Sequence, residues 1–317
     1  MRIFYADQFV LPLPAGHRFP MPKYSALRER VAAAAPGRMR VAEAASDVEL
    51  LRVHDAAYLQ HVVKGTLDAH AMRRIGFPWS PAMVERSRRS VGATIAACRS
   101  ALESGCGVNL AGGTHHAHAG FGEGFCVFND AAVAARAMQA EGRAGRVLVV
   151  DLDVHQGDGT AAIFAGDDSV FTCSMHGRAN FPFRKSASDL DVELDDGTGD
   201  APYLATLRVV MRRALNRAHP DLVIYLAGAD PYEGDRLGRL SMSKTGLAQR
   251  DRYVLDTLRD QGLPVAIAMA GGYAERIEDV VDIHFNTVLL ALRRWAADAR
   301  SRVLDLADHD GTAPPVA

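Results

Sequence analysis

Residues 147–158 read VLVVDLDVHQGD, and the reading of this stretch decides the fold. Val147–Val150 is an unbroken apolar run, the mark of a strand buried on both faces. Asp151, Asp153 and His155 follow at steps of two. In an extended chain that spacing puts all three side chains on one side. Carboxylates buried side by side are costly and repel one another; a divalent cation removes both costs. Acids that merely cap a following helix are the competing account of a lone D-x-D. His155 at the third step and Asp158 beyond it weigh against that account.

Outward from this stretch, apolar runs alternate with helical periodicity. Strands are expected at Arg2–Tyr5, Val108–Ala111, Val170–Met175, Asp221–Ala227 and Val265–Ala270. Helices are expected at Ser25–Ala35, Pro81–Ser104, Asn129–Ala140, Ala201–Ala218, Lys244–Gln261 and about Ile277–Ala299. Ser46–Val53 and His54–Val63 read as helical or turn-like, and Gly157–Phe164 as a loop and helix start. Ala6–Tyr24 reads as a loop exposing His17, Arg18 and Lys23; Asn180–Thr198 and Pro231–Ser243 read as polar loops, and 308–317 as a disordered tail. The alternation predicts an α/β fold with a parallel sheet covered on both faces. With no repeat and no linker, a single domain is expected over residues 1–317. Four strand ends carry unusual residues: GGTHH at 112–116, DLDVH at 151–155, GAD at 228–230 and GGY at 271–273. Ligands of open α/β sheets bind outside the carboxyl ends of the strands, so these four ends predict one site.

Composition narrows the partners. The chain is 48% hydrophobic and 23% charged with a formal net charge of −2, so no global basic field points to nucleic acid. The run Arg86–Arg89 reads as a solvated helix face. Four cysteines, Cys98, Cys106, Cys126 and Cys173, form no C-x-x-C pair and read as reduced, mostly buried thiols. The first residues lack a signal peptide's basic and apolar regions, and no apolar run reaches the ~18 residues of a membrane span. A cytoplasmic protein without a membrane partner is the expectation.

Asp153, His155 and Asp230 make a plausible three-ligand set that leaves a position open, the pattern of a catalytic zinc. Fe²⁺ or Co²⁺ would accept the same donors. Two carboxylates soften the acidifying power of such an ion, so a general base is needed nearby. His115 and His116 are candidates, with Asp151 and Asp158 to fix their tautomers. Tyr273, after two glycines, can aim a phenol at a developing oxyanion. Gly124, Phe125 and Phe181 lie on loops able to wall an apolar tunnel, although core or rim packing accounts for the two rings equally well.

LAGGTHHAHAGFGEGFCVFND, VVDLDVHQGDGTAAIF, SMH, GADPYEGDRLGRLSMSKTGL and AGGYAER together resemble the zinc-dependent histone deacetylases and their prokaryotic relatives. The EGDRLG segment and the loop from Phe181 to Asp200 are most similar to the class IV branch. The resemblance implies the arginase/deacetylase fold, a three-layer α/β/α sandwich around a mainly parallel eight-stranded sheet. It implies hydrolysis of N-acyl-lysine amides, with Asp153, His155 and Asp230 as zinc ligands. It makes His116 the general base and acid backed by Asp158, His115 its electrostatic neighbour paired with Asp151, and Tyr273 the oxyanion donor. It puts Gly124, Phe125 and Phe181 on the acyl-lysine tunnel. It also implies a structural K⁺ held by Asp151, Ser174 and carbonyls of Asp153, His155 and Met175. Gln156 departs from the pattern, where many members carry a second histidine.

Three rivals stand beside this reading. A dinuclear manganese ureohydrolase would show D-x-H-x-D rather than D-x-D-x-H. A non-catalytic acyl-lysine reader would have lost a ligand, the histidines or the tyrosine. An acetylpolyamine or other small acylated amine is the nearest alternative substrate. The near-neutral charge leads us to expect acyl-lysine proteins or peptides taken with little sequence preference, and the apolar tunnel walls lead us to expect that acyl groups longer than acetyl are tolerated. Oligomeric state is left open.

Overall fold

Strand residues of alternating parity enter two separate cores, and this alternation layers the molecule. Ile3, Val108, Leu148, Val150, Val223, Tyr225 and Ile267 belong to one core. Phe4, Val147, Val149, Ile224, Leu226 and Ala266 belong to the other. A sheet whose faces are both buried in this way must carry helices on each side.

In this computed structural model, which describes residues 1–295, the strands are β1 (Arg2–Tyr5), β2 (Met39–Val41), β3 (Cys106–Asn109), β4 (Val147–Asp151), β5 (Val170–Gly177), β6 (Leu190–Leu194), β7 (Leu222–Leu226) and β8 (Val265–Ala268). The helices are α1 (Pro22–Ala34), α2 (Asp47–Leu50), α3 (Ala56–Lys64), α4 (Ala69–Ile75), α5 (Pro81–Ser104), α6 (Asp130–Ala140), α7 (Asp158–Ile163), α8 (Asp200–Ala218), α9 (Lys244–Asp260) and α10 (Ile277–Trp295). The strands form one eight-stranded sheet in the order β2-β1-β3-β8-β7-β4-β5-β6. Every strand pair in it is parallel. Helices α5 and α6 supply one core, and α1, α8, α9 and α10 the other. The architecture is the expected α/β sandwich.

Several local expectations need correction. The segment read as a continuous polar loop from Asn180 to Thr198 contains β6, which pairs with β5 from Cys173 to Gly177. As an edge strand it buries Leu190 and Leu194 at its ends, and its polar middle hid it. The three-residue β2 and the helix α4 had no expectation. Lys23 is not exposed in a loop: it lies in α1 with 3% of its surface accessible. The Arg86–Arg89 run is half-buried, not solvated. Arg86 lies 4.6 Å from the Tyr24 ring centre, and Arg89 donates to Glu85 and to the Ala42 carbonyl. The expected tail at 308–317, and the last residues of the final helix, lie outside the described residues.

The long helix α5 shows how tightly the layers close. An added Cβ on Gly92, in its middle, would stand 1.9 Å from the Glu43 carbonyl oxygen. Glycine to alanine inside a helix ordinarily stabilises by about 0.5–1 kcal/mol. Here the sign should reverse, because overpacking costs about 1–3 kcal/mol. Gly92→Ala should therefore lower the urea midpoint at unchanged slope. A raised midpoint would mean that the Glu43 segment retreats freely.

Candidate active site

Strand β4 ends at Asp151, and the chain then bends rather than continuing extended as its spacing suggested. The cause is local. Asp151 Oδ1 accepts from the Asp153 amide at 3.1 Å, and Asp153 Oδ1 from the His155 amide at 3.0 Å. Each acid thus binds the amide two residues on, the habit of aspartate in turns. The bend separates the side chains. Asp151 turns to His115, its Oδ2 2.6 Å from Nδ1. Asp153 and His155 instead face Asp230, which follows β7 on the neighbouring strand.

Ligand atoms of Asp153, His155 and Asp230 all lie within 4.8 Å of one another, and all three residues are buried. His155 Nδ1 points between the carboxylates, 3.0 Å from Asp153 Oδ1 and 3.2 Å from Asp230 Oδ2. Asp230 Oδ2 has no hydrogen-bond donor aligned on it. Burial pushes the Asp230 carboxyl up to about 7, helped by the charge of Asp153. Burial opposes charge on His155, but hydrogen bonds and charge from Asp153 and Asp230 overcome it and push the imidazole up to about 10. The pocket draws in a positive charge, and its O, N and O donors suit a divalent metal. Binding one would displace the proton from Nδ1. Glycine is required beside it: a Cβ on Gly271 would stand 2.0 Å from Asp230 Oδ2 and 2.6 Å from Asp153 Oδ2. The Gly271 amide instead donates to Asp153 Oδ2 at 2.8 Å.

His115 and His116 meet this cluster from the loop after β3, with their ring centres 4.2 Å apart. Asp130, fully buried at the start of α6, clamps that loop by accepting from the Gly113 and Thr114 amides. His116 Nδ1 lies 2.6 Å from Asp158 Oδ1, which holds the ring's other nitrogen toward the cavity. Burial opposes a charge on His115, but Asp151 and Asp153 outweigh it and raise the ring to about 9. Burial and the neighbouring His115 charge push His116 down to about 4, despite Asp158. Asp158 is held below the usual carboxylate range: burial opposes its charge, but hydrogen bonds from His116 and His118 prevail.

A cavity of about 390 Å³ opens onto these groups, lined by His116, Gly124, Phe125, His155, Phe181 and Tyr273 among others. Gly124 sits between His116 and Phe181, whose rings are 4.9 Å apart. Phe125 has φ +65°, strained for a residue with a side chain, and its amide is held by the Ile75 carbonyl at 2.8 Å. Tyr273 faces this cavity and a smaller one behind it, of about 50 Å³. The sheet register sets Ser174 beside Asp151, with Met175 next to it. All four cysteines are free and buried, and no helix among the described residues is long and apolar enough to cross a membrane.

Against known proteins, residues 17–288 match the model of the histone deacetylase domain. The chain belongs to the histone deacetylase family. An uncharacterized protein of Picosynechococcus sp. is 46% identical over 285 residues, covering 89% of this chain and 95% of that one. The histone deacetylase-like amidohydrolase of Pseudomonas aeruginosa is 32% identical over 256 residues, 75% of this chain and 67% of its own. Histone deacetylase 2 of Arabidopsis thaliana is 32% identical over 246 residues, covering 75% of this chain and 64% of that protein. The structure of the HDA15 HD domain shares the fold at TM-score 0.77, with 24% identity over 91% of this chain and 88% of its own. The chain is thus a family hydrolase of the deacetylase and amidohydrolase type.

Three polar residues around the site, the buried Lys23 and His54 and the half-buried Asp235, had no role assigned from the sequence. Lys23 Nζ donates to the Gly272 carbonyl at 3.1 Å and lies 5.2 Å from the Tyr273 ring centre. Asp235 accepts from the Tyr273 amide at 2.6 Å and from the Leu237 and Gly238 amides. His54 accepts from the Asn129 amide at 3.0 Å, while its Nδ1 faces the His118 and Ala119 carbonyls. Apart from the Leu237 and Gly238 amides, these partners are distant in the chain, so no local pattern announces them. His54 makes a pH test. Burial holds it down to about 4 in the fold, against an ordinary 6.5. Between these values the unfolded chain binds the proton more readily, so stability should fall as pH drops from about 6.5 toward 4. A His54→Gln variant should lose that share of the pH dependence in urea unfolding; an unchanged pH slope would assign it elsewhere.

Proposed function

We propose that this chain is a metal-dependent deacylase acting on N-acyl-lysine amides. One observation carries the reading: two histidine–carboxylate pairs and Tyr273 converge with the Asp153, His155, Asp230 cluster where the larger cavity meets the smaller one behind it. Zinc is the expected ion, with Fe²⁺ or Co²⁺ accepted by the same donors. A bound ion would polarise the amide carbonyl and acidify a water molecule. The protein's own groups do the rest. Asp158 fixes the His116 tautomer, so Nε2 is free to take a proton from the attacking water. The low basicity of His116 keeps it unprotonated and ready at neutral pH. His116 then returns that proton to the departing lysine amine. The Tyr273 phenol, kept protonated by burial, donates to the oxyanion. Gly124, Phe125 and Phe181 wall the space for the aliphatic lysine stem. Asp151 and Ser174, with the backbone of Asp153, His155 and Met175, would hold a structural K⁺ beneath the site. His115, paired with Asp151, tunes the field on His116.

Three expected outcomes test this. His155→Ala should lose bound zinc, read by metal analysis, together with acyl-lysine hydrolysis; a variant retaining one zinc per chain would refute the ligand set. Tyr273→Phe should keep its zinc and lose about 10²–10³-fold in kcat, with little change in KM. His116→Ala should lose more kcat than His115→Ala, general acid–base work being worth about 10²–10⁴-fold. Equal losses, or a larger loss at His115, would overturn the assigned roles.

A further inference from the structure

The net charge of −2 conceals a local field of the opposite sign. Four ionisable groups other than histidine and tyrosine line the cavity: Arg18, Arg74, Arg239 and Glu123. Two positive charges are therefore in excess around the mouth. The three arginines come from three separate segments: the stretch before α1, the helix α4, and the loop between β7 and α9.

Their existing partners hold them weakly. Arg18 is exposed and makes no hydrogen bond or ion pair among the described residues. Arg239 meets Asp196 at 3.3 Å, with side chains 55% and 50% exposed, a pair that contributes little. Arg74 lies 3.7 Å over the Phe121 ring and 3.6 Å from Glu123, fixed in place rather than neutralised by a close bidentate contact. Beyond the lining, Arg184 is also exposed, and Arg236 reaches the Tyr273 carbonyl at 3.0 Å from an exposed position. Phe183, 85% exposed, adds an apolar edge beside Phe181.

We infer that this arginine rim selects acylated amines that carry a carboxylate close to the acylated side chain. The inference rests on the acyl-lysine reading of the same cavity. With the acylated side chain inserted toward His116 and Tyr273, the atoms flanking it lie at the mouth, in reach of Arg18, Arg74 and Arg239. A carboxylate there gains charge-assisted contacts with guanidinium groups. A lysine-rich tail or a polyamine would bring like charge into the rim and be repelled. The carboxylate has two sources, an acidic peptide segment or the α-carboxylate of a free acylated amino acid.

The test uses the full chain loaded with zinc. Nε-acetyl-lysine peptides flanked by Asp, Ala or Arg are compared in kcat/KM, beside Nε-acetyl-lysine as free acid and as amide, and an acetylated polyamine. The order Asp over Ala over Arg is expected, about two- to fivefold per carboxylate at low ionic strength, the scale of an exposed ion pair. The spread should shrink at high salt. The double variant Arg18→Glu, Arg239→Glu should invert the order. A gain confined to peptides identifies an acidic segment as the source; a matching preference for the free acid over the amide identifies the small molecule. Equal rates across the flanks, or a faster basic peptide or polyamine, would overturn the inference. Failure to hydrolyse any acyl-lysine would instead sink the deacylase reading. The charge order would then still be read from binding of labelled peptides by fluorescence anisotropy, where its absence overturns the inference.

Discussion

The rest of the structure depends on keeping three buried carboxylates, those of Asp151, Asp153 and Asp230, together at the ends of β4 and β7. Buried charge of one sign is costly unless each oxygen is answered. Backbone amides answer most of them: Asp153 N on Asp151, His155 N and Gly271 N on Asp153, Val154 N on Asp230. These donors come from the turn after β4 and the loop after β8, so the loops fold around the acids. Below them, Arg250 is fully buried, donating to the Gly228 carbonyl at 2.7 Å and to the Leu152 carbonyl at 3.3 Å. One guanidinium thus ties together the two chain segments that carry the acids. Its own charge is balanced by Asp251 at 2.8 Å, which Tyr225 and Thr287 also hold.

What was legible in the sequence follows from this economy of local and distant partners. Strands buried on both faces, such as Val147–Val150, are visible because no polar residue interrupts them. The candidate site was visible because its residues stand where such strands stop. Edge strand β6 was not, since LDVEL faces solvent on part of its length and reads as polar. Lys23 and Arg86 were misplaced for another reason. Their charges are met by carbonyls and aromatic faces rather than by acids at helical spacing. The bend after Asp151 was hidden too. A two-residue spacing fits an extended strand and a series of aspartate turns equally well, and only the second sends Asp151 to His115.

The tandem histidines show how tertiary position gives two adjacent, similarly paired side chains different surroundings. His115 and His116 are adjacent and each has a carboxylate at 2.6 Å, so pairing alone would make them equivalent. Their surroundings differ in the second charge. His115 also has Asp153 within 4.0 Å of Nε2, and the two acids together keep it protonated. His116 has Asp158, but that carboxylate is shared with His118 at 3.2 Å, and its nearest cation is His115 itself. Two imidazolium rings 4.2 Å apart in a dry setting repel strongly, so a proton on one disfavours a proton on the other. The ring nearer the acids keeps the charge, and the ring facing the cavity stays neutral. Under the proposed mechanism, a neutral imidazole with its Nδ1 turned to Asp158 is the state a general base would need before reaction, and a charge on His115 would favour it.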